Sequence, residues 1–479
     1  MGREPILAAV FLLFACAPPP SDGPPNLLLV SLDGVAAFRT HLGGGDNPNT
    51  PTLDRLAAEG RSFPLAFSQS NESLFSHASM FSGRYPSEIA VPTYAAYSIP
   101  DDAVLVSEIL PLYGYTTGAF VAGGHVKGAY GFDEGFAVYE DDHDFGALFH
   151  TVPEALDWLE EVQEPWFLVL HGYDVHRPYQ KAGVFAEVFG EGPSAATLRG
   201  LSGTDRVYQG RYYPDFSVER ITHVTGDPIV DPEGYLRIAR WAEGHDGEPV
   251  SSEDIAAVGD SYDAAVLAAD LQLGRFLEEA GARGQLDRTL VIATADHGED
   301  LHVHGLFNHR ALLRDSTTRV PLVLWGEGVE QGVDEGLAAA VDIVPTLLGA
   351  AGAVPPAGVA GRDLLSAEPA AVHVFQESVM DELSVRSQTH RLVFRGVPPA
   401  FDLLELALAV APMQAPHFAL YDLRSDPDET TDVLAAQLEV AEELRAAMLR
   451  WHRGLSRGQP GSVARDPELL QALRARGYW

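Results

Sequence analysis

Continuous apolar runs, rather than alternating ones, carry the strand signal in this chain. From Asn26 the run NLLLVSLDG is apolar on both faces and stops at Asp33 and Gly34. That is the pattern of a parallel strand buried on both sides whose carboxyl end hands an aspartate to a loop. Two further runs behave alike: PWFLVLHGYD, with a strand around Phe167 to Leu170, and RTLVIATADHGED, with a strand around Leu290 to Thr294. In open α/β sheets ligands gather at such carboxyl ends, and here each end is followed by Asp, His or Glu. The segment TPTLDRLAAEG (Thr50 to Gly60) predicts a helix with Thr50 or Thr52 as cap, Pro51 near its start and Gly60 just past its end. Ser261 to Ala280 has helical apolar spacing and predicts a packing helix feeding the next strand. After RVPLVLW (Arg319 to Trp325), VDIVPTLLGAAG opens another helix, and the Gly- and Pro-rich Ala353 to Gly361 marks a return loop. A boundary is expected near Ala367 to Pro369. Beyond it lie short strand-like runs (AVHVF, HRLVF), the segment LYDLRSDPDETTDV and a helix from about Gln437 to Trp451. The expectation is an α/β catalytic domain over 26–366 with a small α+β subdomain over 367–479.

At 479 residues the chain exceeds one typical core. Residues 1–15 read as a processing signal: Arg3, then nine apolar residues from Ile6 to Phe14. A bilayer span needs about 20, so this run is too short to cross a membrane. The end of the run, LFAC, contains the only cysteine and resembles a bacterial lipoprotein signal in which Cys16 is lipidated. Residues 16–25, with Pro18, Pro19, Pro20, Pro24 and Pro25, then form an extended tether. The expected location is extracytoplasmic, in the bacterial cell envelope, with membrane contact only through a lipid at Cys16. A single cysteine also excludes an intrachain disulfide. Net charge is -36, which opposes nucleic acid and anionic membrane, so an anionic substrate must be captured by a metal or by local cations. Residues 184–249, rich in Gly, Pro and aromatics, read equally as a substrate-shaping insertion or as inert surface.

The chemistry concentrates after the strands. Asp33, Asp296 and His297 offer two carboxylates and an imidazole, and Ser73 can complete a metal site; hard oxygens with one imidazole suit Ca, Mg, Mn or Zn. Asp33 alone reads equally well as a turn residue before Gly34. The segment SLFSHASMFSGRYP (Ser73 to Pro86) reads as a nucleophile followed by a helix over Phe75 to Ser82 that ends at Gly83. At a helix N-terminus, unpaired N–H groups and the positive dipole end face an anion.

That segment resembles the active-site signature of the sulfatase branch of the alkaline phosphatase superfamily. The resemblance runs from about Asn26 to the C-terminus, where LYDLRSDPDETTDV resembles a family block. It implies an alkaline-phosphatase-like three-layer α/β sandwich with a large, mostly parallel mixed sheet. It further implies Ser73 as nucleophile and metal ligand with Asp33, Asp296 and His297. Phe75 and His77 replace the Pro and Arg that formylglycine maturation needs, which implies an unmodified serine. His77 and Arg84 then become candidates to support the site. In LHGYDVHRPY the resemblance assigns His176 to the leaving group and makes Asp174 a substrate-side candidate, with His171 read as structural. It places His309 on the substrate anion, makes Arg319 the brace of a buried carboxylate, and gives His125 and Lys127 a weaker claim on the anion.

The resulting expectation is a hydrolase of sulfate esters using one divalent metal (Ca, Mn or Zn) on an anionic small molecule or glycan. Leu32–Asp33 in place of an Asp pair, and His297 in place of Asn, favour phosphodiesters or phosphonate monoesters and Mn or Zn instead. A second metal held by Asp174, His176 and His309, as in nucleotide pyrophosphatase relatives, is a further alternative. A non-enzymatic binder of anionic glycans is the remaining one. A phosphoethanolamine transferase is disfavoured, because no set of membrane helices or disulfides is present.

Overall fold

The three apolar runs form the middle of an eight-stranded mixed sheet. Its order is Gly332–Val333, Arg61–Ser62, Leu322–Gly326, Thr289–Thr294, Asn26–Leu32, Trp166–Gly172, Thr116–Phe120 and Val138–Glu140. Asn26–Leu32 runs parallel to both of its neighbours, and Ser31 stands in register with Thr294 on one side and His171 on the other. The three strands therefore finish level, and whatever follows them shares one edge. The computed structural model describes residues 23–89, 99–100, 103–143, 146–176, 244–245, 248–249, 252–310, 312–378, 382–395 and 411–455, with Glu405, Leu408 and Ala409. Cys16, the signal, most of the tether, most of the 184–249 insertion and the end of the C-terminal subdomain lie outside the described residues. Among the described residues no helix is long and apolar enough to cross a membrane.

The central strands are apolar throughout because both faces are covered. Leu27, Leu28, Leu29 and Val30 are fully buried, each worth roughly 1.5–3 kcal/mol on transfer from water. On one side the helices Pro51–Glu59, Leu148–Glu161 and Ser252–Ala282 pack together; the helix Ser73–Ser82 packs instead with Ile343–Ala350. The long helix begins nine residues before the expected Ser261. Within the extra turns Val258 is buried, and just inside the expected helix the Tyr262 hydroxyl donates to the Gly34 carbonyl at 2.7 Å while accepting from the Ala36 amide at 2.7 Å. That pin fixes the turn after Asp33.

The strand Thr116–Phe120 has no apolar run to announce it. Gly118 sits there because a Cβ would lie 2.7 Å from the Trp158 ring. In the C-terminal part, Val374–Glu377, Glu382–Arg386, His390–Arg395 and Phe418–Asp422 form an antiparallel four-stranded sheet in chain order. The helix Leu438–Gly454 covers it, burying Leu444 and Met448 against Leu383, Leu392 and Phe418. The strand Glu382–Arg386 goes unannounced in the sequence because its terminal charges are buried by pairing rather than exposed.

Candidate active site

Asp33 stands at the end of the central strand, its amide bonded to the Gly172 carbonyl at 3.1 Å. Gly34 follows at φ 76°, a left-handed turn suited to glycine, and its amide donates to Asp296 Oδ1 at 3.0 Å. The amide of His297 donates to the same oxygen at 2.8 Å. Ser73 opens the helix Ser73–Ser82 rather than preceding it, with Glu72 as the residue before the first turn. The Ser76 hydroxyl, one turn on, donates to the Asp296 carbonyl and ties the helix to the third strand's loop.

These elements bring four expected residues together. Ligand atoms of Asp33, Asp296 and His297 lie within 4.8 Å of one another, and all three side chains are fully buried. Ser73 Oγ is 3.0 Å from Asp33 Oδ2 and 3.1 Å from His297 Nε2. A hydroxyl has one proton, so it can satisfy only one of those acceptors at a time. His297 Nδ1 lies 2.9 Å from the Gly298 carbonyl and therefore carries the proton, leaving the Nε2 lone pair facing the cluster. Asp33 Oδ1 and Asp296 Oδ2 are buried without hydrogen-bond partners. Burial raises the Asp33 carboxyl well above its usual range, and the Asp296 charge raises it further. Burial pushes Asp296 the same way, but His297, His77 and the Gly34 amide outweigh it and hold that carboxyl below its ordinary value. Burial and the Asp296 charge thus favour the neutral form of Asp33, a preference that a bound cation would reverse. Two orphaned carboxylate oxygens, one imidazole lone pair and one hydroxyl fit a divalent metal.

His77 supports the site from behind the nucleophile rather than by facing a substrate. Nδ1 donates to the Ser73 carbonyl at 2.7 Å, Nε2 accepts from Ser31 Oγ at 2.9 Å, and burial lowers its pKa. A neutral ring with both nitrogens committed braces the nucleophile's backbone and does not exchange protons with a substrate. Arg84 departs from expectation: eleven residues along, it bonds the Ala357 carbonyl at 3.3 Å, at the far end of the helix. Asp174 turns its Oδ2 to the Leu148 amide at 2.8 Å, where it starts the helix Leu148–Glu161. That commitment removes an oxygen from the substrate role and from the alternative second metal. Arg319 braces the Pro64 carbonyl at 2.8 Å, with Asp315 near enough to raise its pKa against the lowering by burial.

His309 does reach the site. Its ring stacks on His297 at 4.1 Å between centroids and 24° between planes, with Nδ1 3.4 Å from Glu299 Oε2. His176 lies 6.0 Å from His309, at the last described residue before the insertion. His125 occupies a short turn on the neighbouring loop, its amide bonded to the Tyr173 hydroxyl at 2.9 Å. Burial first, then Arg310 and His297, push its pKa down to about 3, so its ring is neutral. Lys127, two residues on, caps the next turn, and its Cε packs beside Gly123.

Sequence reasoning missed several neighbours. His171, read as structural, holds the far side of Asp33: Nδ1 accepts from the Ala122 amide at 3.4 Å, and Nε2 lies 3.9 Å from Asp33 Oδ2. Its position at the end of a buried strand was the available signal. Glu299 was visible only as part of ADHGED. The Arg310–Glu72 ion pair, 3.0 Å between Nε and Oε2, joins residues 238 positions apart and leaves no local trace.

The chain is similar to known proteins. The chain is 23% identical over 461 residues to arylsulfatase K of Bos taurus, covering 88% of this chain and 80% of that protein. A protein solved in complex with its substrate D-glucosamine-2-N,6-O-disulfate superposes with a TM-score of 0.66 at 19% identity, covering 90% of this chain and 97% of the other. The phosphonate monoester hydrolase of Agrobacterium radiobacter superposes with a TM-score of 0.64 at 19% identity, covering 90% and 95%. These two show that the fold is the alkaline-phosphatase-like sandwich of sulfatases and phosphonate monoester hydrolases. The sulfatase family model matches residues 25–353, well over half of the 479. The chain belongs to the sulfatase family of hydrolases.

Proposed function

We propose that this chain is a metal-dependent hydrolase that cleaves sulfate esters with Ser73 as its nucleophile. The observation that carries the reading is Ser73 Oγ lying 3.0 Å from Asp33 and 3.1 Å from His297 inside a buried cluster of orphaned carboxylate oxygens. Asp33, Ser73, Asp296 and His297 would hold one divalent cation. When bound, such a cation lowers the pKa of the Ser73 hydroxyl and offsets charge on the transferred group. Ser73 Oγ passes its proton to Asp33 Oδ2, its acceptor at 3.0 Å, from which it leaves to solvent, and attacks sulfur. The bond to the alcohol oxygen breaks, and His176 returns a proton to that oxygen. His309, stacked on His297, steadies the anion, and water then cleaves the serine ester to release sulfate. His77 keeps the Ser73 backbone in place throughout.

A second reading, hydrolysis of phosphonate monoesters or phosphodiesters with the same residues, is favoured by the single Asp33 and by His297. The likeness to the Agrobacterium hydrolase supports it at the level of fold. A sulfated glycan or amino sugar is the substrate class suggested by the disulfated glucosamine bound by the other structural relative. Anchorage by a lipid at Cys16 belongs to the same proposal, supported by the sequence pattern of Ile6 to Cys16. Purified full chain with added Mn, Zn or Ca, assayed on aryl sulfate, aryl phosphate, diaryl phosphate and aryl phosphonate, tests the reading. Hydrolysis of one ester that disappears in Ser73→Ala supports it; no hydrolysis of any, or an unchanged rate in the variant, overturns it. Mass spectrometry of the peptide containing Ser73 expects an unmodified serine.

A further inference from the structure

The segment that carries His309 is clasped from behind by the C-terminal sheet. Glu382 Oε2 accepts from the Leu313 amide at 2.8 Å, while its Oε1 holds Arg395 Nε at 3.0 Å. Arg386 grips both oxygens of Asp315, at 3.1 and 3.0 Å, and Arg391 adds a third contact to the same carboxylate. Arg391 Nε also lies 2.6 Å from Glu429 Oε1, and Glu429 Oε2 accepts from the Asp315 amide at 2.5 Å. The Arg314 guanidinium lies 4.4 Å above the Tyr421 ring and bonds its hydroxyl at 2.8 Å. Except for Asp315, partly accessible at its edge, these charged side chains are buried.

The grip ends on a single turn, Asp315–Thr318, which passes it to the site by two routes. Thr317 Oγ1 donates to the Leu312 carbonyl at 2.6 Å; Asn71 Nδ2, next to the nucleophile helix, bonds that same carbonyl at 3.1 Å and the His309 carbonyl at 2.7 Å. The Thr317 carbonyl accepts from the Gly298 amide at 2.8 Å, and the Gly298 carbonyl fixes the protonated nitrogen of His297. Gly298 has no alternative there, since a Cβ would lie 2.3 Å from the Ser316 carbonyl. The two stacked imidazoles are therefore suspended from one turn, and that turn hangs from the C-terminal sheet.

We propose that Glu382, Arg391 and Glu429 are positioning residues: through the turn Asp315–Thr318 they set the relative placement of His297 and His309. This rests on the reading of His309 as an anion contact and of His297 as a metal ligand. Displacements of about 1 Å at reacting groups can cost on the order of 100-fold in rate, so loosening the clasp alters turnover without touching substrate.

The test uses full-length chain with its metal, as Glu382→Gln, which is isosteric but replaces one of the two accepting oxygens by a donor, and Arg391→Lys, which keeps the charge but loses the planar donor fork. The ring signals of His297 and His309 are followed by NMR on protein labelled at histidine nitrogen, assigned by substitution, with exposed His41 as internal control. The proposal expects both ring signals to move in both variants while His41 stays. It also expects kcat on the best ester to fall at least about tenfold while KM changes less than about threefold, with metal content retained. A purely structural clasp lowers the melting temperature but leaves the two rings and kcat of the folded protein unchanged, and that result overturns the proposal. If Arg391→Lys fails to fold, Glu382→Gln alone decides. Should wild type cleave no ester, the proposed function fails separately, and the ring signals still support or overturn the clasp.

Discussion

Two buried clusters of charge dominate this molecule, and they are built on opposite principles. Behind the site, Asp315, Glu382 and Glu429 face Arg314, Arg386, Arg391 and Arg395, so each carboxylate has a guanidinium beside it. Burial would raise Asp315, but Arg386 and Arg391 outweigh it and hold the carboxyl below its ordinary value. At the site, the basic side chains paired with Asp33 and Asp296 are imidazoles, and burial keeps the rings of His77 and His171 neutral. If both were ionised within 4.8 Å of each other, they would repel by at least roughly 3 kcal/mol at an effective dielectric near 20, which adds to burial in raising the Asp33 carboxyl. Among the described residues, four arginines serve one cluster while the paired carboxylates of the other have no guanidinium bonded to them, which is the arrangement the proposed cation would complete.

The sharpest way to break this contrast is at the nucleophile. Ser73→Ala should lower kcat on the preferred ester by at least about 1,000-fold with the fold intact, measured by steady-state kinetics beside circular dichroism. At the balanced cluster, Arg391→Met should leave Asp315 and Glu429 buried without their shared partner. A loss of about 3–5 kcal/mol in unfolding free energy is expected by urea titration. A smaller effect comes from Glu377, whose carboxylate receives the Ser87 amide at 2.8 Å and hydroxyl at 2.7 Å. Burial raises its pKa from 4.5 to about 7, so the folded chain keeps a proton that the unfolded chain has released. That stabilisation is fully present below about pH 4.5 and is lost as pH rises through 7. Glu377→Gln should remove this slope, gaining at most about 3 kcal/mol on wild type between pH 5 and 8.

The same contrast explains what the sequence disclosed. The strands ending in Asp33 and Asp296 were legible because both faces of the sheet are apolar, and the site residues follow those strands directly. Ser73 stood out through the resemblance of the segment from Ser73 to Pro86 to the sulfatase signature, since a lone serine before a helix reads first as a cap. Partners recruited across the chain were not: Glu72 finds Arg310, Glu382 finds Leu313, and Arg391 finds Asp315 only once the sheet and turn are folded. His77 was legible as a support of the site, but the Ser31 hydroxyl and Ser73 carbonyl that occupy both its nitrogens are tertiary facts. The partners of Arg84 and Asp174, the Ala357 carbonyl and the Leu148 amide, were equally out of reach, since side-chain direction, not proximity in sequence, decides which groups a residue meets.

One calorimetric comparison tests the open cation site most directly: melting of wild type and Asp33→Asn, each stripped with chelator and then supplied with Mn, Zn or Ca. Removing one of two repelling buried carboxylates should raise the melting temperature of the stripped variant above stripped wild type by a few degrees. Metal should then stabilise wild type strongly and the variant little or not at all. Equal stabilisation of both proteins by metal, or a stripped variant less stable than stripped wild type, would contradict a cation site at Asp33, Ser73, Asp296 and His297.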